Sequence, residues 1–262
     1  MRVLVTNDDG IAAPGLAALA GGLTAEGHDV VVVAPHRDAS GAAAATGAQR
    51  REARERFRCV ETNVAGRRAY SLEALPALCV AAACAGAFGP LPDAVVAGVN
   101  DGRNVGRSVL HSGTLGAVLT AAQHGLAALA VSVQMRPGIP LVYDDAVFLA
   151  RRLLPLAREL APTALNCNLP AVPAGAVRGV RWARLGNAPL IAGALVDGEA
   201  LEVRFRRGQA NDSGTDEALT DAGYATLSAL RAPGADTAVA ARFAGALATI
   251  EQALLDAAPG AP

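Results

Sequence analysis

Two adjacent carboxylates, Asp8 and Asp9, follow an apolar run in residues 3–11, "VLVTNDDGI". Like charges side by side repel, and each resists desolvation. Two carboxylates with neutral oxygen donors nearby suit a hard divalent cation such as Mg²⁺ or Mn²⁺. Such an ion offsets the repulsion and keeps both groups ionised. Taken alone, "NDDG" also fits a solvated loop in which Asp8 caps the helix that follows. Spacing leaves both readings open.

Two further loops carry polar groups. "PHRDASG" contributes Ser40, and "AGVNDGRNVGRSVLHSGT" spans residues 97–114. In the latter, Asn100, Gly102, Asn104 and Gly106 alternate, and glycine at this density lets backbone N–H groups approach a ligand. "HSGTLGA" then opens a helix, with Ser112 or Thr114 as its cap around Gly113. That makes an anion site from N–H groups and the helix dipole. Arg103 and Arg107 add positive charge, and His111 is a candidate for substrate contact or leaving-group protonation. An anion beside a hard cation reads as phosphate. The loop is not a P-loop, since GK[ST] is absent, and the first turn lacks the dinucleotide GxGxxG pattern.

These loops need elements to hold them at one edge. "RVLVT" (2–6) and "DVVVVAP" (29–35) are continuous apolar strands separated by a helix over 14–27, with Pro14 in its first turn and Gly27 at its end. Short strands are expected near 57–62 and 68–72, a helix near 74–87, and a strand at 93–98. A helix over 114–125, a strand at 129–133, a helix over 144–160 and a strand at 163–169 complete the run. This is a doubly wound, mostly parallel α/β pattern of Rossmann type, in which ligands bind beyond the carboxyl ends of the strands. After Pro170 the pattern alternates in period two, and Asp197-Gly198 signals a hairpin turn. A loop over 208–223, a strand "YATLSAL" and a helix over 236–256 are expected to follow. Residues 1–170 are read as the catalytic core, and 171–262 as a hairpin and helix extension of the same domain.

Composition limits the partners. The chain has 262 residues, a net charge of −1, 52% hydrophobic and 3% aromatic residues, so the core is built from Ala, Val and Leu. No global field draws it to a nucleic-acid polymer or a membrane surface. All 23 basic residues are arginine, which removes any lysine nucleophile. Cys59, Cys79, Cys84 and Cys167 show no metal-binding spacing. They read as reduced thiols of a cytoplasmic protein. No signal peptide or spanning segment is expected.

In order, "VLVTNDDGIAAPGLAALA", "VVVVAPHRDASG", "AGVNDGRNVG…SGTLGA", "LAVSV", "LNCNLP" and "GTDEALTDAGYATLSAL" resemble the motifs of the SurE family of metal-dependent nucleotidases and phosphatases. The resemblance covers nearly the whole chain. It implies a Rossmann-like core, a C-terminal region used in assembly as a homodimer or homotetramer, and hydrolysis of phosphate monoesters, typically nucleoside 5′- or 3′-monophosphates. It also implies one divalent cation per subunit on Asp8, Asp9, Ser40 and Asn100. On that basis Asp8, Asp9 and Asn100 are the catalytic candidates. Asn7, Ser40, Arg103, Asn104, Arg107, His111, Ser112, Gly113 and Thr114 are candidates for phosphate and substrate. The nucleophile, a water on the metal or one activated by a carboxylate, stays open.

The chain departs from the family pattern around these positions. His36 stands where Asp is usual, an alanine run fills residues 42–45, Leu78 replaces an Asp, and Arg107, Ser108 and His111 are unusual in their loop. Two alternatives follow: a dedicated phosphatase for a sugar phosphate or phosphorylated biosynthetic intermediate, and a non-catalytic protein that binds a phosphorylated ligand.

Overall fold

The apolar runs at the start of the chain form neighbouring parallel strands in the computed structural model, which describes residues 1–48, 54–187, 191–205, 212–234 and 242. β1 (Arg2–Thr6) pairs with β2 (Asp29–Pro35) on one side and β5 (Ala94–Asp101) on the other, parallel to both. Beyond β2 lies the antiparallel pair β3 (Cys59–Val64) and β4 (Arg67–Leu72), with β4 parallel to β2. Beyond β5 lie β6 (Ala127–Val133) and β7 (Ala164–Leu169), both parallel. The sheet continues past residue 170. β11 (Ala225–Leu230) runs antiparallel to β7, and β8 (Val180–Trp182) forms the far edge beside it. The full order is β3-β4-β2-β1-β5-β6-β7-β11-β8.

Side-chain alternation along the strands feeds two cores. Val3 and Val5 of β1 pack under α1 (Pro14–Ala25) and α4 (Asp144–Glu159), with Leu16, Leu19 and Leu154 fully buried. Leu4 faces the opposite layer, under α2 (Pro76–Cys84) and α3 (Gly113–Gln123), with Leu115 and Val118. Burying a side chain of this size contributes roughly 1.5–3 kcal/mol. α1 and α2 both begin at a proline, which has no N–H to leave unpaired in the first turn.

The C-terminal part differs in detail from the pattern expected. β9 (Ile191–Asp197) and β10 (Ala200–Phe205) form a separate two-stranded hairpin, turned at Gly198 with φ +60°. Val180–Trp182 alternates similarly yet joins the main sheet, because β11 offers it a free edge. The stretch expected as a loop contains α5 (Asp216–Asp221), nucleated by Thr215, whose hydroxyl accepts from the Ala218 N–H at 3.3 Å. The helix expected over 236–256 lies, apart from residue 242, outside the described residues. Among the described residues no helix is long and apolar enough to cross a membrane.

Candidate active site

The order of the sheet puts its switch point between β1 and β5, where successive crossovers diverge toward opposite edges, and ligands of open α/β sheets bind there. The loop after β1 carries Asn7, Asp8 and Asp9. Gly10, at φ +98°, lets the chain turn back, and a Cβ there would lie 2.9 Å from the Arg37 backbone. The loop after β2 returns to meet it, since the Ala39 N–H donates to the Asp8 carbonyl at 2.7 Å. Ser40 sits exposed in this loop, its N–H bonded to Asp38 Oδ1 at 2.7 Å. The β5 register skips Val99, a bulge that places Asn100 opposite Ser132. Asn100 is buried, and its amide donates to the Gly102 carbonyl at 2.6 Å.

Asp8 is only 3% exposed. It does not cap α1, whose N-cap is Ala13 with no side-chain bond. Its partner is the N-terminus of α3, where the Thr114 hydroxyl donates to Asp8 Oδ1 at 2.6 Å. Gly113 lies so close that a Cβ would fall 2.8 Å from Asp8 Oδ2. Burial pushes the Asp8 carboxyl above its ordinary value, and the Thr114 hydroxyl and N–H oppose that rise. Asp9 is pushed up to about 7 by burial, then by the carboxylates of Asp8 and Asp101. Ser112 is the α3 cap, accepting from the Leu115 N–H at 3.1 Å.

Behind the loops lies a buried polar network absent from the expectations. The Asn104 amide spends both hydrogens, on Thr114 Oγ1 (3.2 Å) and Ser132 Oγ (3.0 Å). Its backbone is pinned from β7: Asn168 Oδ1 accepts from the Asn104 N–H at 2.7 Å, and the amides of Asn166 and Asn168 donate to its carbonyl at 2.8 and 3.0 Å. The signal was visible in "LNCNL", two amides two residues apart in a fully buried strand. Arg103 is also engaged, its Nη1 2.7 Å from Asp221 Oδ1 on α5. Asp216 of the same helix accepts from the Gly106 N–H at 2.8 Å and the Gly186 N–H at 3.0 Å. Arg107 and His111 are exposed on a 3-10 turn, Gly106–His111.

The donors suit a hard cation. Asn7 Oδ1 and Asp9 Oδ2 are buried without a hydrogen-bond partner, and an unpaired buried oxygen costs about 1–3 kcal/mol unless something occupies it. Among the described residues no group of three or more His, Cys, Asp and Glu side chains could hold a metal. The set expected from the sequence is two carboxylates with neutral oxygens, a donor type that Mg²⁺ or Mn²⁺ accepts alongside water.

The fold and its switch-point loops define a Rossmann-like α/β protein with buried oxygen donors at the carboxyl edge of the sheet. The family model described as "Survival protein SurE" matches residues 3–190, and the chain belongs to that family. It is 42% identical over 192 residues to a protein of Anaeromyxobacter sp. (strain Fw109-5) named 5′-nucleotidase SurE, covering 71% of this chain and 69% of that one. A protein of the same name from Aeromonas hydrophila is 34% identical over 238 residues, covering 88% and 92%. The crystal structure of the SurE protein from Aquifex aeolicus shares the fold, with a TM-score of 0.75 over 91% of this chain and 96% of that one, at 23% identity.

Proposed function

We propose that this chain is a divalent-metal-dependent phosphomonoesterase that hydrolyses nucleoside 5′- and 3′-monophosphates. The observation that carries the reading is Asp8 bonded to the α3 N-terminus, with Asp9 next to it in the chain and the unpartnered oxygens of Asn7 and Asp9 in the same loop. The name 5′-nucleotidase SurE on relatives covering most of the chain supports the same substrate class.

Asp8, Asp9, Ser40 and Asn100 would hold one Mg²⁺ or Mn²⁺ per subunit. Bound there, the cation supplies Lewis-acid polarisation of a phosphate oxygen. Thr114 fixes the Asp8 carboxylate, and the α3 N-terminus adds a positive dipole end for the phosphate. Asn104 acts through Thr114 and Ser132, since both its amide hydrogens are used within the protein. Arg103 orients the loop through Asp221. Arg107 and His111, both exposed, are candidates to meet substrate.

The assembly reading rests on the β9–β10 hairpin, which exposes Ile191, Leu195, Val196 and Leu201. In this reading residues 1–170 carry the catalytic site, and 171–262 pair subunits into a homodimer or homotetramer. All four cysteines are free, which supports a cytoplasmic setting.

The test is phosphate release from a panel of monoesters with Mg²⁺, Mn²⁺ or chelator. Nucleoside monophosphates are expected to be hydrolysed fastest, and chelator to abolish release. Asp8→Asn is expected to cut the rate by roughly a hundredfold or more, with the circular-dichroism spectrum kept. Wild-type activity in Asp8→Asn would overturn the mechanism. Faster turnover of a sugar phosphate would move the assignment to a dedicated phosphatase.

A further inference from the structure

The phosphate site sits at the ends of β1 and β5, so the rest of the substrate must extend toward one side of the sheet edge. On the β6–β7 side the ends of the strands are filled. Gln134 spans them, its amide donating to Asp221 Oδ1 at 2.8 Å and its carbonyl accepting from the Ala171 N–H at 3.1 Å. The hollow beside it holds only about 10 Å³. The β2–β4 side is open. A pocket of about 320 Å³ lies over β3 and β4, lined by Ile11, Val60, Ser71 and Arg58, and a second of about 200 Å³ adjoins Arg37, Phe57 and Leu75. Both are bounded by His36 and Glu73.

These hollows are tied to the phosphate loops. Ile11 is two residues from Asp9, and its N–H donates to the Pro35 carbonyl at 2.8 Å, while Ala39 bonds Asp8. His36 is oriented from two sides of its own residue: its backbone N–H lies 2.7 Å from the Leu72 carbonyl, and ring Nδ1 is 3.3 Å from the same oxygen. A carbonyl only accepts, so Nδ1 carries the proton and Nε2 is left for a ligand. Glu73 meets Arg58 Nη1 at 3.5 Å with both side chains largely exposed, a weak pair that leaves the carboxylate able to accept. Among the described residues, charges in the lining balance, Arg37 and Arg58 against Asp38 and Glu73. That balance favours a neutral, hydrogen-bonding group over one carrying a further phosphate or carboxylate.

We infer that the two hollows flanking His36 and Glu73 seat the alcohol part of the substrate, a neutral hydroxyl-bearing group of nucleoside size, with Glu73 accepting from a ribose hydroxyl. The inference rests on the phosphomonoesterase reading for the direction of the phosphate, and it concerns a different set of side chains.

The experiment separates the two. A free nucleoside, uridine or adenosine, carries no phosphate, so its binding to the full chain, followed by saturation-transfer NMR, reports the pocket alone. Binding is expected in the wild type and weaker by about tenfold or more in Glu73→Ala, the size of one hydrogen bond to a charged group. Hydrolysis is then compared between the nucleoside monophosphate and phenyl phosphate. The ratio of their kcat/KM values is expected to fall about tenfold in Glu73→Ala. An unchanged ratio together with unchanged nucleoside binding overturns the pocket and leaves the activity standing. Loss of nucleoside binding in the variant, with neither ester hydrolysed by the wild type, overturns the activity and supports the pocket.

Discussion

The hydroxyl of Thr114 donates to the carboxylate of Asp8 at 2.6 Å, across 106 residues of chain. Through this bond a strand-end carboxylate and a helix N-terminus become one unit, because Thr114 also accepts from the Asn104 amide. Replacing Thr114 by Val keeps the shape but leaves Asp8 and Asn104 short of partners. A loss of about 1–3 kcal/mol in urea unfolding is expected, together with a fall in phosphate release. Thr114→Ser keeps the hydroxyl and is expected to recover most of both. A loss in Thr114→Ser with none in Thr114→Val would show that the methyl, rather than the hydroxyl, matters here.

Asp216 is fully buried and binds the N–H groups of Gly106 and Gly186. Asp216→Ala leaves both donors buried without partners, and a destabilisation of about 2–4 kcal/mol is expected from two lost charge-assisted bonds. Asp216→Asn keeps an acceptor oxygen and is expected to lose less. Thermal unfolding of the two variants checks the order.

Gly116 stands where a Cβ would meet the Ala43 carbonyl oxygen at 2.0 Å. The obstacle is backbone, and Ala43, at φ +52°, is held in place by its N–H to the His111 carbonyl. Gly116→Ala therefore has to displace the loop that carries Ser40. Overpacking of this kind costs about 1–3 kcal/mol, and activity is expected to fall further than stability does. Gly125→Ala, which meets nothing within 4 Å but has φ +76°, is expected to lose stability without the matching loss of activity.

The thiols give a pH test. Burial pushes Cys79 and Cys167 up to about 12 from an ordinary value of 9.0. A raised thiol value means that the fold keeps the neutral form. This contribution is complete below pH 9 and is lost as the pH climbs toward 12, because only the unfolded chain ionises in that window. Each thiol removes about 1.4 kcal/mol per pH unit there. Urea midpoints are expected to be level between pH 8 and 8.5, above the value of about 7 to which Asp9 is pushed, and then to fall, with a shallower fall in Cys79→Ala. At pH 8 a disulfide reagent is expected to label exposed Cys59 quickly, and Cys79 and Cys167 only after unfolding.

The sequence by itself determined the elements and the edge. Valine runs broken by a proline-started helix dictate buried parallel strands, and parallel strands put "NDDG", Ser40 and the glycine-rich loop at one end of a sheet. Those patterns are local, so they survive without knowledge of the packing. Partnerships between distant side chains do not. Asp8 serves α3 rather than the helix next to it, Arg103 is tied to Asp221 at a separation of 118 residues, and Asn168 fixes the Asn104 backbone from 64 residues away. Each depends on strand register and on which helix end meets which loop. Only the tertiary structure decides that, because a hydrogen bond requires its atoms within about 3 Å, and spacing along a chain does not set distances through a core.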